Sequence, residues 1–227
     1  MRATLIILTF IINQTIFGQF GFIEDKDGYV NIRSSSKNII DTLASGQIIY
    51  CFELEGEWFP IDYDLSRQNK SGYVHKSRVR IIEDFDSFQA SEITDTSITF
   101  KTEAFTLRIT KVAFNPKVNN LEYHKANPSE NVAIYLERIN GEEIWGTDGE
   151  IPKMQYGKFI LQIGSDMVNL PTDNLFEPNL DFTSVYIDKK NNIIYVSALN
   201  SDGAGGYAVL WIIENGEFKQ RITTLPF

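Results

Sequence analysis

The sequence predicts an all-β protein that consists of a small barrel followed by a mostly antiparallel β-sheet domain. Short runs of β-branched and aromatic residues alternate with Gly, Asn, Asp and Ser turns at tight intervals, which is the pattern of short strands in barrels and sandwiches. The first third of the chain contains no stretch with the period of a long helix. The chain closes on strand-length runs joined by turns, as expected for an antiparallel meander.

The first unit is predicted to span residues 20–83. Alternation within Tyr29–Arg33 predicts a strand with one face turned to the core. A hairpin turn is expected at Gly56, because glycine tolerates the positive φ of tight turns. Cys51 is the only cysteine and lies in an apolar run. We therefore expect a buried, inert thiol and no internal disulfide.

The N-terminus has the order of charged, apolar and polar segments that is typical of a secretory signal peptide. Arg2 precedes the apolar run 5–12, and a more polar stretch leads to Gly18. This predicts a signal peptide over residues 1–18 and an exported chain, in the periplasm or at the cell surface. The apolar run is far shorter than the ~20 residues that cross a bilayer, so we expect no transmembrane segment in the mature chain. The alternative is a buried N-terminal strand or helix.

Three segments of the first unit carry a resemblance to a known family. They read Asp-Gly-Tyr-Val-Asn-Ile-Arg (27–33), Gly-Glu-Trp-Phe-Pro-Ile (56–61) and Ser-Gly-Tyr-Val-His-Lys-Ser (71–77). Their succession resembles the bacterial SH3-like (SH3b) domain, and the resemblance covers the first unit alone. It implies an SH3-like barrel, attached to an exported protein, with a shallow groove that binds cell-wall peptides or other envelope ligands.

The resemblance also implies which side chains line that groove. The residues at the family's positions are Tyr29, Arg33, Trp58, Tyr73 and His75. Flat aromatic rings next to polar groups suit the binding of extended peptides. The same positions also contribute to folding in this family, and Trp58 is expected to pack on the barrel core. Residues 64–70 depart from the family pattern, because this segment is longer and more polar than the usual hairpin. It could reshape or cover the groove.

Residues 84–96 are polar and mixed, which predicts a linker, and residues 97–227 are predicted to form a second, antiparallel unit that resembles no family. Strands are expected at 184–188, 193–199, 207–213 and 218–222. A glycine-rich loop lies between two of them and is formed by Ser201, Asp202, Gly203, Gly205, Gly206 and Tyr207. Its bare backbone can approach a protein partner closely; the alternative is a long flexible hairpin.

Charge and residue inventory exclude several functions. The formal charge of −9 and the absence of a basic stripe disfavour nucleic acid binding. No cofactor motif is present. Two histidines and one cysteine in an apolar run do not predict a metal site. Calcium at residues 148–150, or near Asp202 beside Asp166 or Asp173, stays an alternative, although no twelve-residue calcium loop is present. A cysteine peptidase domain in the second unit is excluded, because that unit has no cysteine to act as the nucleophile.

These observations predict an exported, non-enzymatic binding protein that engages a cell-wall peptide or an envelope protein. The first alternative is an inhibitor or immunity-type protein that blocks a basic cell-wall hydrolase, because an acidic surface speeds encounter with a basic partner. The second alternative is a hydrolase of unrecognised type in the second unit, which would need a concave pocket with convergent polar groups.

Overall fold

The structure is a computed structural model that describes residues 18–124 and 134–227. The predicted signal peptide, residues 1–18, lies outside the described residues except for Gly18. The described residues form strands and five short 3-10 turns, which confirms the predicted all-β class. No helix in these ranges is long and apolar enough to cross a membrane.

The described strands, in chain order, are β1 (Gln19–Ile23), β2 (Tyr29–Arg33), β3 (Ile39–Ala44), β4 (Ile48–Cys51), β5 (Trp58–Tyr63), β6 (Lys70–His75), β7 (Val79–Ile81), β8 (Asp86–Phe88), β9 (Glu92–Thr94), β10 (Ser97–Lys101), β11 (Thr106–Ala113), β12 (Leu121–Tyr123), β13 (Leu136–Ile139), β14 (Glu142–Glu143), β15 (Met154–Ile163), β16 (Asp166–Asn169), β17 (Thr183–Asp188), β18 (Ile193–Asn200), β19 (Tyr207–Glu214) and β20 (Glu217–Thr224). The 3-10 turns are Lys76–Arg78, Ile82–Asp84, Pro116–Val118, Leu180–Phe182 and Gly203–Gly205.

The first seven strands form one antiparallel sheet in the order β3-β2-β6-β5-β4-β1-β7. The sheet coils around a single core, because Leu43 from one edge strand and Ile81 from the other belong to the same apolar cluster. In the described residues no ladder joins β3 to β7, so the predicted barrel is an open, coiled sheet. The turn after β3 bonds to the end of β1, where Gly46 N donates to Ile23 O (2.7 Å). Cys51 is buried in this core, and burial raises the pKa of its thiol, as expected.

The second unit contains two five-stranded antiparallel sheets that pack face to face, and a small sheet of β12, β13 and β14. One large sheet has the order β16-β15-β11-β10-β9 and the other β20-β19-β18-β17-β8. Leu107 and Phe159 of the former meet Val196 and Trp211 of the latter in one core, and Trp211 is fully buried. The two sheets therefore form a β-sandwich.

The sheet that contains β19 is buried on its second face as well, against the first unit. Tyr195 and Leu210 of this sheet share a cluster with Phe20 and Tyr50 of β1 and β4. Phe85 stacks on the ring of Tyr195 with centroids 5.7 Å apart. We call this cluster the inter-unit interface. It makes the β17–β20 sheet the central layer of the molecule, which explains why seven consecutive residues of β19 are buried.

The segment 64–70 contacts the second unit. The guanidinium of Arg67 lies 4.2 Å from the centroid of the Trp145 ring and donates to the carbonyl of Ile144. Asn69 Nδ2 donates to Thr224 Oγ1 (2.7 Å) and to Asp62 Oδ2 (3.0 Å). The departure from the SH3b pattern is therefore a contact between units.

The segment 84–96, predicted to be a linker, is part of the sheets. β8 pairs with β17 in the central sheet, and β9 pairs with β10 in the other. Phe88 anchors the segment by an edge contact with the ring of Phe105, 6.1 Å between centroids. The linker prediction was wrong because these strands are three residues long and mostly polar, so they carry no readable alternation.

Alkaline pH should destabilise the fold through its buried tyrosines. Burial, and to a smaller extent the carboxylates of Asp188 and Glu214, raises the pKa of Tyr195 to about 12. In the unfolded chain a tyrosine titrates near ~10, so the folded state holds this proton more tightly. The resulting stability is complete below about pH 10 and is lost as the pH rises towards 12.

Urea unfolding at increasing pH measures this loss of stability, and Tyr195→Phe is the matched variant. The substitution removes one titrating hydroxyl and keeps the ring, so the decline above about pH 10 should be shallower than in the unchanged chain. An identical pH dependence in both proteins would contradict the assignment of the proton to Tyr195.

Candidate functional site

Four of the five residues implied by the SH3b resemblance lie on one outer face of the first sheet. Trp58 pairs with His75 across β5 and β6, and Tyr73 pairs with Arg33 across β6 and β2. Residues that pair directly share a face of the sheet. The intervening side chains point the other way, as Val74 does into the core. The pleat therefore separates these four residues from the core.

Ring and cation contacts organise this face. The rings of Trp58 and His75 meet edge to face with centroids 5.2 Å apart. Lys37 Nζ lies 4.5 Å from the centroid of the Trp58 ring and 5.7 Å from that of Tyr73, within the range of cation–π attraction. Arg33 Nη1 donates to the carbonyl of Lys37 (2.8 Å), so Arg33 braces the turn that presents the lysine. We call Arg33, Lys37, Trp58, Tyr73 and His75 the aromatic face.

The placement of the remaining candidates differs from the sequence expectation. Trp58 was expected to pack on the barrel core, but it is half-buried and belongs to none of the core clusters of described residues. Tyr29 lies at the far end of β2, is 54% exposed and pairs with Ala44 of β3. It is not among the ring and cation contacts that define the aromatic face. Lys37 was missed, because a lysine in a serine-rich turn carries no signal of its own.

A groove of about 600 Å³ adjoins the aromatic face. Pro60 and Tyr73 of β5 and β6 form part of its floor, and Ile40 and Phe52 supply apolar wall. Phe227 of the second unit closes one side. An apolar groove with rings along one edge fits an extended chain with side chains at alternate positions.

The second unit contains a cleft of about 590 Å³, and the glycine-rich loop forms one of its walls. Gly205, Gly206 and Tyr207 are buried, whereas Asp202 and Gly203 are exposed. A Cβ atom on Gly205 would come within 3.1 Å of the backbone of Thr147, and Tyr207 Oη donates to Phe176 O (2.9 Å). The loop is thus packed against its neighbours, with only its tip exposed.

The backbone around this cleft is held in unusual conformations. Glu177 and Ser201 have φ of 49° and 59°, and Gly146 has φ of 108°. Ser201 N donates to Glu177 O (3.1 Å), and Ser201 Oγ donates to Gly146 O (2.8 Å). Non-glycine residues in the left-handed region cost ~1–3 kcal/mol each and persist where the surroundings hold them. Because the Ser201 hydroxyl donates to a carbonyl, it does not face a base as a serine nucleophile would.

A buried polar network supports the same loop from below. Asn200 is fully buried, and its Oδ1 accepts from Tyr156 Oη (3.2 Å) and from Asn179 N (2.9 Å). Burial raises the pKa of Tyr156 and of Tyr207, so both phenols stay protonated and available as donors. The sequence offered no sign of this network, whose members come from three separate segments.

The described residues contain no group of three or more His, Cys, Asp or Glu side chains that could hold a metal ion. The calcium alternative at residues 148–150 therefore has no ligand set in this part of the chain. Comparison with protein-family models, with curated proteins and with solved structures gives no match.

Trp211 is fully buried and Trp58 is half-buried, so removing each ring should cost a different amount of stability. Trp211→Ala should lower the free energy of unfolding by ~3–5 kcal/mol, because a fully buried ring is lost and a cavity remains. Trp58→Ala should lower it by only ~1–2 kcal/mol, since the ring lies on the outer face and leaves no enclosed cavity. Urea unfolding followed by circular dichroism measures both. Equal losses would place Trp58 in the core.

Proposed function

We propose that this chain is an exported, non-enzymatic binding protein whose aromatic face and adjoining groove bind an extended cell-wall peptide. The observation that carries the proposal is the position of two large rings, Trp58 and Tyr73, on an outer face of the sheet. Neither ring belongs to a core cluster formed by the described residues. Aromatic side chains give large contact area at low cost in conformational entropy, which is why they recur in peptide-binding surfaces.

The charge of the aromatic face supports a ligand that carries carboxylates. The chain as a whole is acidic, with a formal charge of −9, but Arg33 and Lys37 gather on this face beside His75. Cationic side chains next to exposed rings attract anionic groups and orient them by charge-assisted hydrogen bonds. A peptide with acidic side chains or a free carboxyl end matches both features.

The inhibitor alternative has less support from the geometry. A loop that plugs the cleft of an enzyme has to project, whereas the glycine-rich loop is packed against Gly146 and Thr147 with only its tip exposed. The hydrolase alternative has the concave pocket that it needs. Among the described residues, Ser201 is the serine that lines the cleft, and its hydroxyl donates to a carbonyl. Neither His75 nor His124 is among the described residues that line the cleft.

Co-sedimentation with purified peptidoglycan sacculi tests the proposal, using the chain from residue 19 onwards. Trp58→Ala and Tyr73→Ala should each weaken binding at least about tenfold, the effect of losing a central aromatic contact. Tyr29→Ala is the matched control, because it removes an exposed ring of the same unit that lies apart from the aromatic face. Its binding should equal that of the unchanged chain.

Two results would contradict the proposal. If the unchanged chain stays in the supernatant, the cell-wall ligand is wrong, and the aromatic face would have to serve an envelope protein. If Tyr29→Ala abolishes binding while Trp58→Ala does not, the ligand contacts a different surface. Circular dichroism of each variant separates lost binding from lost folding.

A further inference from the structure

We propose a second ligand site in the cleft of the second unit, for a small ligand that carries both ammonium and carboxylate groups, such as a dipeptide with free ends. This site is independent of the peptide-binding function proposed above. The charged side chains that line it are Lys111, Asp148, Glu150, Lys153, Glu177 and Asp202. We call it the charged cleft.

Side chains of both charges line the charged cleft, and they form no ion pairs with one another among the described residues. None of the ion pairs among the described residues involves Lys111 or Lys153, nor Asp148, Glu150 or Asp202. Elsewhere in the described residues oppositely charged neighbours do pair, as Arg78 does with Asp25 and Lys219 with Glu214. Unpaired charges that line a concave surface project their field onto whatever enters it. A ligand with charges of both signs satisfies both sets of side chains.

One cleft carboxylate is already occupied by the protein backbone. Glu177 Oε1 accepts from Met154 N (3.2 Å) and from the backbone N–H of Lys153. Its role is to hold one wall of the cleft. Three carboxylates and two ammonium groups then remain for a ligand, so the preferred ligand has more positive than negative charge.

The size and the rigidity of the charged cleft fit a small polar ligand. Its volume of about 590 Å³ lies within the ~300–1,000 Å³ of small-molecule sites. Ser201 ties two walls together through its bonds to Glu177 and Gly146. A site whose walls are fixed before binding loses little entropy when the ligand enters.

Isothermal titration calorimetry with alanyl-lysine as the probe tests the proposal. This dipeptide carries two ammonium groups and one carboxylate, and three analogues each remove one charge: the N-acetyl dipeptide, the dipeptide amide and alanyl-norleucine. Alanyl-lysine should bind, and each analogue should bind at least about tenfold more weakly, as expected for the loss of one charge-assisted contact. Equal binding of all four, or no binding of alanyl-lysine, overturns the proposal.

Variants assign the contacts and guard against charge effects that act at a distance. Lys153→Gln should weaken alanyl-lysine at least about fivefold, and the penalty for amidating the ligand should then largely disappear, because the two changes remove the same interaction. Asp202→Asn should likewise weaken the binding of alanyl-lysine. The penalty for removing one of the ligand's two ammonium groups should then largely disappear. Lys158→Gln and Asp166→Asn are the controls, since these exposed residues do not line the cleft.

The outcome does not depend on the aromatic face. Trp58→Ala should bind alanyl-lysine as well as the unchanged chain does, so failure of the cell-wall proposal leaves this test intact. Additive penalties in every combination of variant and analogue would mean that no cleft side chain contacts the probe, and the proposal would be wrong.

Discussion

The burial of the central sheet on both faces is the constraint on which the rest of the structure depends. Along β19, Val209 and Trp211 point into the sandwich core, while Leu210 and Ile212 point into the inter-unit interface. A strand with this much apolar surface needs cover on two sides, because exposure of either face would leave a large apolar patch in water. The first unit supplies that cover with the outer surface of β1 and β4.

This packing decides which surfaces remain for ligands. The first unit uses Phe20 and Tyr50 to cover the central sheet, and Arg67 and Asn69 hold the segment 64–70 onto the second unit. The aromatic face on β2, β5 and β6 takes no part in the inter-unit interface. The charged cleft lies in the second unit, among loops that the interface leaves uncovered. The two proposed sites are therefore separate, and each has its own chemistry.

Much of the local structure could be predicted from the sequence, because it depends on short-range patterns. The chain was expected to close on an antiparallel meander joined by turns, and Asn192 and Asn215 adopt φ of 54° in those turns, a conformation that asparagine tolerates. The closing strands lie where the apolar runs placed them. Long-range partners were not predictable. The run in β19 indicates burial, but nothing in it identifies the second covering surface, and the polar strand β8 shows no pattern until β17 pairs with it.

The aromatic face was partly predictable and the charged cleft was not. A family resemblance over neighbouring strands pointed to Trp58, Tyr73 and His75, which cross-strand pairing then brings together. The charged cleft combines Lys111 with residues up to Asp202, and no single stretch of sequence shows that combination. The glycine-rich loop was noticed for its composition, yet its role as a packed wall follows from contacts with a segment some fifty residues earlier.

The inter-unit interface should make the two units unfold as one body. Native-state hydrogen exchange under increasing urea tests it most directly, by comparing backbone amides of β4 and β5 with those of β18 and β19. We expect one common opening reaction, with the same free energy and the same urea dependence for both sets. Exchange of the β4 and β5 amides through a separate, lower-energy opening, while β18 and β19 stay protected, would contradict it.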